Sequence, residues 1–481
     1  MITGLLILWP LVAALILFAV RNENVKKLAF AAAALEFIIS IGAICVYHAQ
    51  GAAGLTLNFP WVETLGINFH VSMDGISLLM VLLTTALTPI IILSSFRHQY
   101  TSPNAFYGLI LLMQMALVGV FVAMDGFLFY VFWELALIPI YFICALWGGE
   151  RRITITFKFF IYTLFGSLLM LVAIIYLFIQ TPESHSFSIA GMYQLQLSAT
   201  EQSFIFWAFF VAFAIKIPIF PFHTWQPDTY TQSPAPATML LAGIMLKMGL
   251  YGLIRWMPVM PLGLQEWGST AMTLSVGGIL YASCIALVQK DFKRLIAYVS
   301  IAHVGLIAAG IFSNNHQGIQ GAVIQMISHG INAVGLFFIV DIISDRTKTR
   351  MIGELGGLAT KDKLFTVLFM IILLGSIALP LTNGFVGEFL LLMGVYQYGA
   401  WYGAFAGLTI IFGAYYMLKM YQKIMLGETS ANAEKFTPLV SSEKMVLITI
   451  ALLVLAIGVY PKPILQIAEP AIQNILSLTT K

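Results

Sequence analysis

Charge is scarce in this chain: Asp, Glu, Lys and Arg make up 9% of its 481 residues, against about 25% in a soluble globular domain. So few polar side chains cannot clothe a water-facing surface of this size, which excludes a soluble enzyme. Cysteine is nearly absent. Cys45, Cys144 and Cys284 stand alone inside apolar stretches, without the paired spacing of a disulfide framework, a zinc site or an iron–sulfur cluster, and read as small packing residues. No glycine-rich dinucleotide fingerprint follows a strand-like run, so any nicotinamide chemistry belongs to another chain and no cofactor is expected in this one. Blocks of like charge are missing too, and the net charge of +3 reports topology rather than affinity for nucleic acid. The first apolar stretch has no basic residue before it and three soon after it, the reverse of a cleavable signal peptide, and is read as a retained helix.

What the chain has in abundance is hydrophobic sequence, 60% of residues with a mean hydropathy of +0.92. Apolar stretches long enough to cross a bilayer recur along its length. Fourteen are counted: 3–20, 28–49, 74–95, 106–124, 126–147, 155–179, 204–222, 234–257, 268–289, 291–313, 318–343, 364–396, 400–426 and 442–460. The fold class this predicts is an all-α polytopic membrane protein. Lys and Arg test the count, because cytoplasmic loops hold them in excess. Of the 24, 18 fall after odd-numbered spans and only Arg255, Lys462 and Lys481 on the opposite side. A miscounted span would have scrambled this asymmetry, so both termini are expected on the outer, periplasmic side. Lys216, Lys247 and Lys419 remain within spans. Lys419, near a helix end, can snorkel.

Two regions lie outside the spans. Residues 50–72 alternate briefly as strands do, which suggests a small external hairpin. The tail after Pro461 is open between a surface helix and an extended segment. The organisation expected is 1–105 (spans 1–3 with the external loop), 106–257 and 258–426 (two five-helix units), and 427–481 (span 14 and tail), with no separate soluble domain.

Lys216 lies in Phe213-Ala214-Ile215-Lys216-Ile217-Pro218-Ile219-Phe220-Pro221. Proline removes a backbone donor and frees carbonyls one turn back, and an ionisable group near mid-bilayer costs at least about 2.5–3.5 kcal/mol. A broken helix carrying a proton or ion site is predicted. Span 12 offers a counterpart, Ala378-Leu379-Pro380-Leu381-Thr382-Asn383-Gly384 ahead of Glu388. The two breaks are five spans apart. An odd repeat re-enters the membrane from the other side, so spans 4–8 and 9–13 are expected to be inverted copies, the alternative being a coincidence of prolines.

The other intramembrane ionisable groups are Glu134 (span 5, one turn before Pro139), Lys247 (span 8), His303 (span 10) and His329 (span 11). Such a set suits a proton relay. Each histidine alone is equally compatible with hydrogen-bonded packing. Were Glu134 and Lys216 to meet at about 4 Å, their attraction would be about 4 kcal/mol at an effective dielectric near 20, and opening the pair would let a desolvated lysine release its proton. A static pair is the alternative. Glu36 and Asp341 read as structural or interfacial.

The stretches His223-Thr224-Trp225-Gln226-Pro227-Asp228, Lys293-Arg294-Leu295-Ile296-Ala297-Tyr298-Val299-Ser300-Ile301-Ala302-His303 and Ile327-Ser328-His329-Gly330 resemble the antiporter-like subunits of proton-pumping NADH:quinone oxidoreductase, respiratory complex I. The family also holds subunits of multi-subunit cation/proton antiporters and membrane-bound hydrogenases. Glutamate at 388, in Asn383-Gly384-Phe385-Val386-Gly387-Glu388-Phe389, resembles the M type, whereas the L and N types usually carry lysine. The resemblance implies a charge pair of Glu134 and Lys216 in an entry half-channel, Lys247 as central relay, His303 and His329 along a hydrated axis, and Glu388 at the exit. It implies other complex I subunits as partners, especially neighbouring L and N subunits, together with membrane lipids and protons, a bacterial inner membrane, and redox chemistry in other chains. Where the family commonly has histidine two residues after the motif aspartate, this chain has Tyr230. A phenol is a poor proton shuttle at neutral pH, so that loop is assigned no relay role. Alternatives are an antiporter or hydrogenase subunit, or a haem-binding cytochrome with His303 and His329 as axial ligands.

Overall fold

The computed structural model describes residues 1–20, 24–182 and 185–479, so Arg21 and Lys481 of the charge count lie outside the described residues. Among these, twelve helices are long and apolar enough to cross a membrane. They correspond to spans 1–6, 8–11, 13 and 14. The other two spans are the ones that proline was expected to break. Span 7 is a helix over Ala199–Lys216 followed by turns and a short helix over Gln226–Gln232; span 12 is split into Lys363–Ser376 and Asn383–Tyr398. Span 7 begins before the predicted position 204 because Ser198 and Glu201 form a capping box that satisfies its first free amides.

The two breaks are built alike. In span 7 the Ile219 amide, next to Pro218, reaches back to Ala214 O at 2.8 Å; in span 12 the Leu379 amide, next to Pro380, reaches Leu374 O at 3.1 Å. Each proline thus shifts one bond to a partner five residues back. The second break also holds Ala378 and Leu381 at φ +56° and +72°, left-handed positions that non-glycine residues adopt only under constraint from their surroundings. Packing is matched step by step. Consecutive spans from 4 to 8 lie against each other, and so do consecutive spans from 9 to 13.

Burial sorts the spans. The most apolar window of Ala235–Val259 and that of Phe292–Phe312 are 100% buried, and that of His316–Thr347 is 94% buried, whereas for Val25–Leu55 the figure is 28%. Spans 8, 10 and 11 are therefore enclosed by protein, and these three carry Lys247, His303 and His329. Outward-facing Leu, Ile and Phe on spans 1, 2, 6, 13 and 14 present the apolar surface that a bilayer or a neighbouring subunit covers.

The expected hairpin is present as antiparallel strands Leu57–Val62 and Ile67–Val71, with an irregularity between Pro60 and Val62. Asp125, the N-cap of span 5, also accepts from the Asn68 amide at 3.1 Å and ties the hairpin to the bundle. The tail is a helix, Lys462–Thr479, docked across the ends of spans 3 and 11. Glu469 on it accepts from His316 at 2.9 Å and from Gln320 at 3.0 Å.

At the Lys/Arg-rich face, two cations of the loop count are not solvated. Arg346 is buried and paired in two-pronged fashion with Glu443 at 2.6 and 3.1 Å; Lys293 is buried and donates to Ser233 O at 2.7 Å. Arg97 joins Asp345 at 3.3 Å, and His98 joins Asp341 at 2.8 Å. The hydrogen bond to Asp341 raises the His98 pKa above the ordinary histidine value against the opposing effect of burial. A raised folded-state pKa contributes stability that is complete below the unfolded value near 6.5 and is lost as pH rises through the folded value. Replacing His98 with Gln should therefore lower the melting temperature of the purified protein most at about pH 6, with the deficit shrinking as pH rises through the folded-state value. A deficit independent of pH would show that the pair contributes packing rather than charge.

Candidate functional site

Lys216 is the last residue of the first half of span 7, and its side chain is 2% exposed. Pro218 leaves the local backbone short of donors, and the indole Nε1 of Trp225 compensates by donating to Ile215 O at 2.8 Å. This gives the His223–Asp228 motif a structural task. Asp228, in turn, is held by Lys158 at 3.3 Å and Arg294 at 3.4 Å. Span 8 comes in close at the break: a Cβ on Gly249 would lie 2.6 Å from Ile217 Cγ1 and 3.3 Å from Lys216 Cβ. Only glycine allows that approach.

The contact anticipated between Glu134 and Lys216 is not made in this conformation. Lys216 Nζ has no hydrogen-bond or ion-pair partner and sits over the Trp133 ring, 5.4 Å from its centroid, while Glu134 Oε1 is buried without a partner. Adjacent helical residues point about 100° apart, and with Trp133 against the ammonium the Glu134 carboxylate is engaged by Ser167. A cation–π contact of this kind is worth about 1–2 kcal/mol when desolvated, weak enough to be exchanged for a carboxylate.

Lys247 lies in a second irregularity. Span 8 runs as a helix over Ala235–Leu240, a π-turn over Leu241–Met245 and a helix over Leu246–Trp256. A π-turn displaces the carbonyl ladder and leaves acceptors over. Lys247 Nζ takes one of them, donating to Ala242 O at 2.6 Å, and also meets His329 Nδ1 at 2.9 Å. The other ring nitrogen, Nε2, is 3.0 Å from Ser300 Oγ. This network assigns the neutral histidine one tautomer: Nδ1 accepts from the ammonium and Nε2–H donates to the hydroxyl.

From His329 the line continues to His303, whose ring centroid is 6.0 Å away, and from His303 Nε2 to Glu388 Oε1 at 3.9 Å. Glu388 Oε1 accepts from Gln325 Nε2 at 3.3 Å. Spans 11 and 12 are locked together beside it by Ser328 Oγ donating to Asn383 O at 2.8 Å and Asn383 Nδ2 donating to Ser328 O at 3.3 Å. Of the six residues selected from sequence, four thus form one chain, while Glu134 and Lys216 stand apart at the span 7 break. Ser300, Gln325 and Asn383 were not selected. Their signal is position, three to five residues before His303, His329 and Glu388. Tyr230, assigned no role, is fully buried against Phe337.

Residues 123–414 match the family model described as NADH:quinone oxidoreductase/Mrp antiporter, TM. The chain belongs to this family. A curated relative from Rickettsia conorii, NADH-quinone oxidoreductase subunit M, is 39% identical over 99% of this chain and 98% of its own length. In the solved structure of respiratory complex I from Thermus thermophilus with bound NADH, one chain superposes with a TM-score of 0.93 at 29% identity, covering all of both chains. A chain of the Mrp complex from Dietzia sp. superposes at 0.84 over 98% of this chain and 99% of its own, but at 19% identity it shares the fold alone. Family membership therefore rests on sequence and fold together, and within the family the likeness in sequence, 39% against 19% identity at near full length, runs to the complex I branch.

The glycine before Glu388 supplies a test of the last link. A Cβ on Gly387 would fall 2.3 Å from Gln325 Oε1, so Gly387→Ala must displace the amide that holds the carboxyl group. Loss of one such bond is worth about 1 kcal/mol, and proton pumping in membrane vesicles should drop about fivefold with the protein still inserted. Gly407→Ala, where a Cβ meets nothing within 4 Å, should be neutral. Equal activity in the two variants would show that Gln325 does not position Glu388.

Proposed function

We propose that this chain is the M-type proton-translocating subunit of a bacterial NADH:quinone oxidoreductase, driven by redox chemistry in other chains. The observation that carries the reading is the enclosed line Lys247–His329–His303–Glu388, four titratable groups on four different spans with no carboxylate paired to Lys247. Such a line is expensive to bury and does nothing for packing. It makes sense as a path for protons.

The chemistry follows from the contacts. A proton on Lys247 is already aimed at His329 Nδ1 along a 2.9 Å hydrogen bond. Its transfer leaves a neutral amine and an imidazolium whose Nε2–H faces Ser300. From there the proton passes to His303 and on to Glu388, which releases it toward the exit. Lys216 resets the line: moving from the Trp133 face to Glu134 changes the field on Lys247 across Gly249. The matched breaks and the matched packing of spans 4–8 and 9–13 support two inverted copies, one for entry and one for exit. No step needs a cofactor in this chain.

The Lys/Arg asymmetry supports a bacterial inner-membrane location with both termini periplasmic, and the M-type reading supports L and N subunits as neighbours. Two observations bear on the alternatives. The relative named subunit M matches nearly end to end at 39% identity, which favours complex I over a cation/proton antiporter. Both ring nitrogens of His329 are engaged, by Lys247 and Ser300, which speaks against an axial haem ligand.

Lys216→Met keeps length and removes the titrating group, so pumping by the assembled complex should fall on the order of 100-fold. Glu134→Gln should also be severe, and combined with Lys216→Met it should add little, since both act on one switch. Additive effects in this double-mutant cycle would remove Glu134 from the switch. Unimpaired pumping in assembled Lys216→Met would sink the relay reading altogether. At the other end, Glu388→Asp should retain part of the pumping that Glu388→Gln loses; wild-type rates in both would make Glu388 structural.

A further inference from the structure

Away from the relay, the Lys/Arg-rich face carries a cleft of about 430 Å³ between the ends of spans 9 and 13 and the loop after span 11. Lys290, Lys419 and Lys423 line it, and all three are exposed. None of them makes an ion pair. One carboxylate, Glu354, also lines the cleft, but it is engaged by the Thr349 hydroxyl rather than by a lysine. Three ammonium groups without a carboxylate partner against a single carboxylate leave the cleft basic. Elsewhere on this face Arg97, Arg346 and Arg350 each have a carboxylate partner.

The cleft does not end at the lysines. Lys419 also lines an open groove of about 760 Å³ whose walls are Met370, Leu418, Tyr421 and Leu426. Its ammonium group is held at the junction by the Tyr415 hydroxyl, 2.7 Å away, and lies 4.8 Å from that ring's centroid. A basic cleft at a membrane-water boundary that opens directly into an apolar groove has the two-part shape of a phospholipid. The lysines match an anionic headgroup and the groove matches an acyl chain. A free phosphate would use only the first part and a neutral lipid only the second.

We propose that this junction is a binding site for an anionic phospholipid, with Lys290, Lys419 and Lys423 around the phosphate and an acyl chain along Met370, Leu418 and Leu426. Each lysine near the surface contributes roughly a fivefold preference for negative charge. Removing all three should weaken binding on the order of 100-fold.

The test uses the whole purified complex, delipidated in mild detergent and titrated with phosphatidylglycerol, with cardiolipin, with phosphatidylcholine and with inorganic phosphate, bound lipid being counted by native mass spectrometry. Wild type, the triple Lys→Arg variant and the off-site control Lys444→Gln should bind the two anionic lipids alike. The triple Lys290→Gln, Lys419→Gln, Lys423→Gln variant should lose about 100-fold in affinity. Equal binding by that variant, or equal binding of phosphatidylcholine by wild type, overturns the proposal. Displacement of the lipid by millimolar phosphate would identify a free-anion site instead. A photoreactive side chain placed at Leu418 should label lipid; labelling of a neighbouring polypeptide would make the groove a subunit contact and also overturn the proposal.

Discussion

An ammonium group inside a hydrocarbon slab has to find its acceptors within the protein, and the arrangement of this bundle follows from that demand. Lys247 is fully buried, and placing an unsatisfied ammonium there would cost several kcal/mol or more. The acceptors come from the backbone of its own span and from an imidazole on span 11. The three spans nearest the group are also the three most completely enclosed by protein. Enclosure and satisfaction go together: the outer helices spend their apolar faces on the surroundings so that the inner ones can carry polar groups.

Backbone irregularity is the second consequence. A regular helix saturates its own carbonyls and has nothing to offer a buried cation. Among the described residues, three breaks in regular α-helix lie beside titratable groups of the candidate site: the turn after Lys216, the π-turn before Lys247, and the break before Glu388. The first and third are forced by proline. The second contains no proline, and its freed acceptor, Ala242 O, is the one that Lys247 uses.

That difference explains what could be read from sequence. Span number and the two proline breaks were legible because hydropathy and the loss of an N–H are local properties of Pro218 and Pro380. The π-turn was not. Leu241-Ala242-Gly243-Ile244-Met245 has nothing that forbids an α-helix, and the extra residue is accommodated only because spans 3 and 11 close around it. The six ionisable residues were legible as misfits in apolar sequence, but their azimuth was not, since each break resets helical phase. Lys216 accordingly faces Trp133 rather than Glu134. The terminal helix was obscured by Pro463 and Pro470, the latter lying inside it, and its docking depends on Glu469 finding His316, which is a tertiary event.

The unequal connection of the two halves bears on how such a path avoids being a leak. A line joined end to end at all times would let protons run down their gradient. Here the contiguous part, Lys247 to Glu388, is separated from Glu134 by a lysine that rests on an aromatic face. Lys216 and Lys247 lie on spans that touch at Gly249, and on the proposed relay the charge on one ammonium would disfavour a proton on the other. Direct contact with Glu134 would require Lys216 to leave Trp133. On the proposed relay the entry contact and the line are therefore linked by position rather than by a shared hydrogen bond, and exchange of Lys216 between Trp133 and Glu134 would give the switch its two positions.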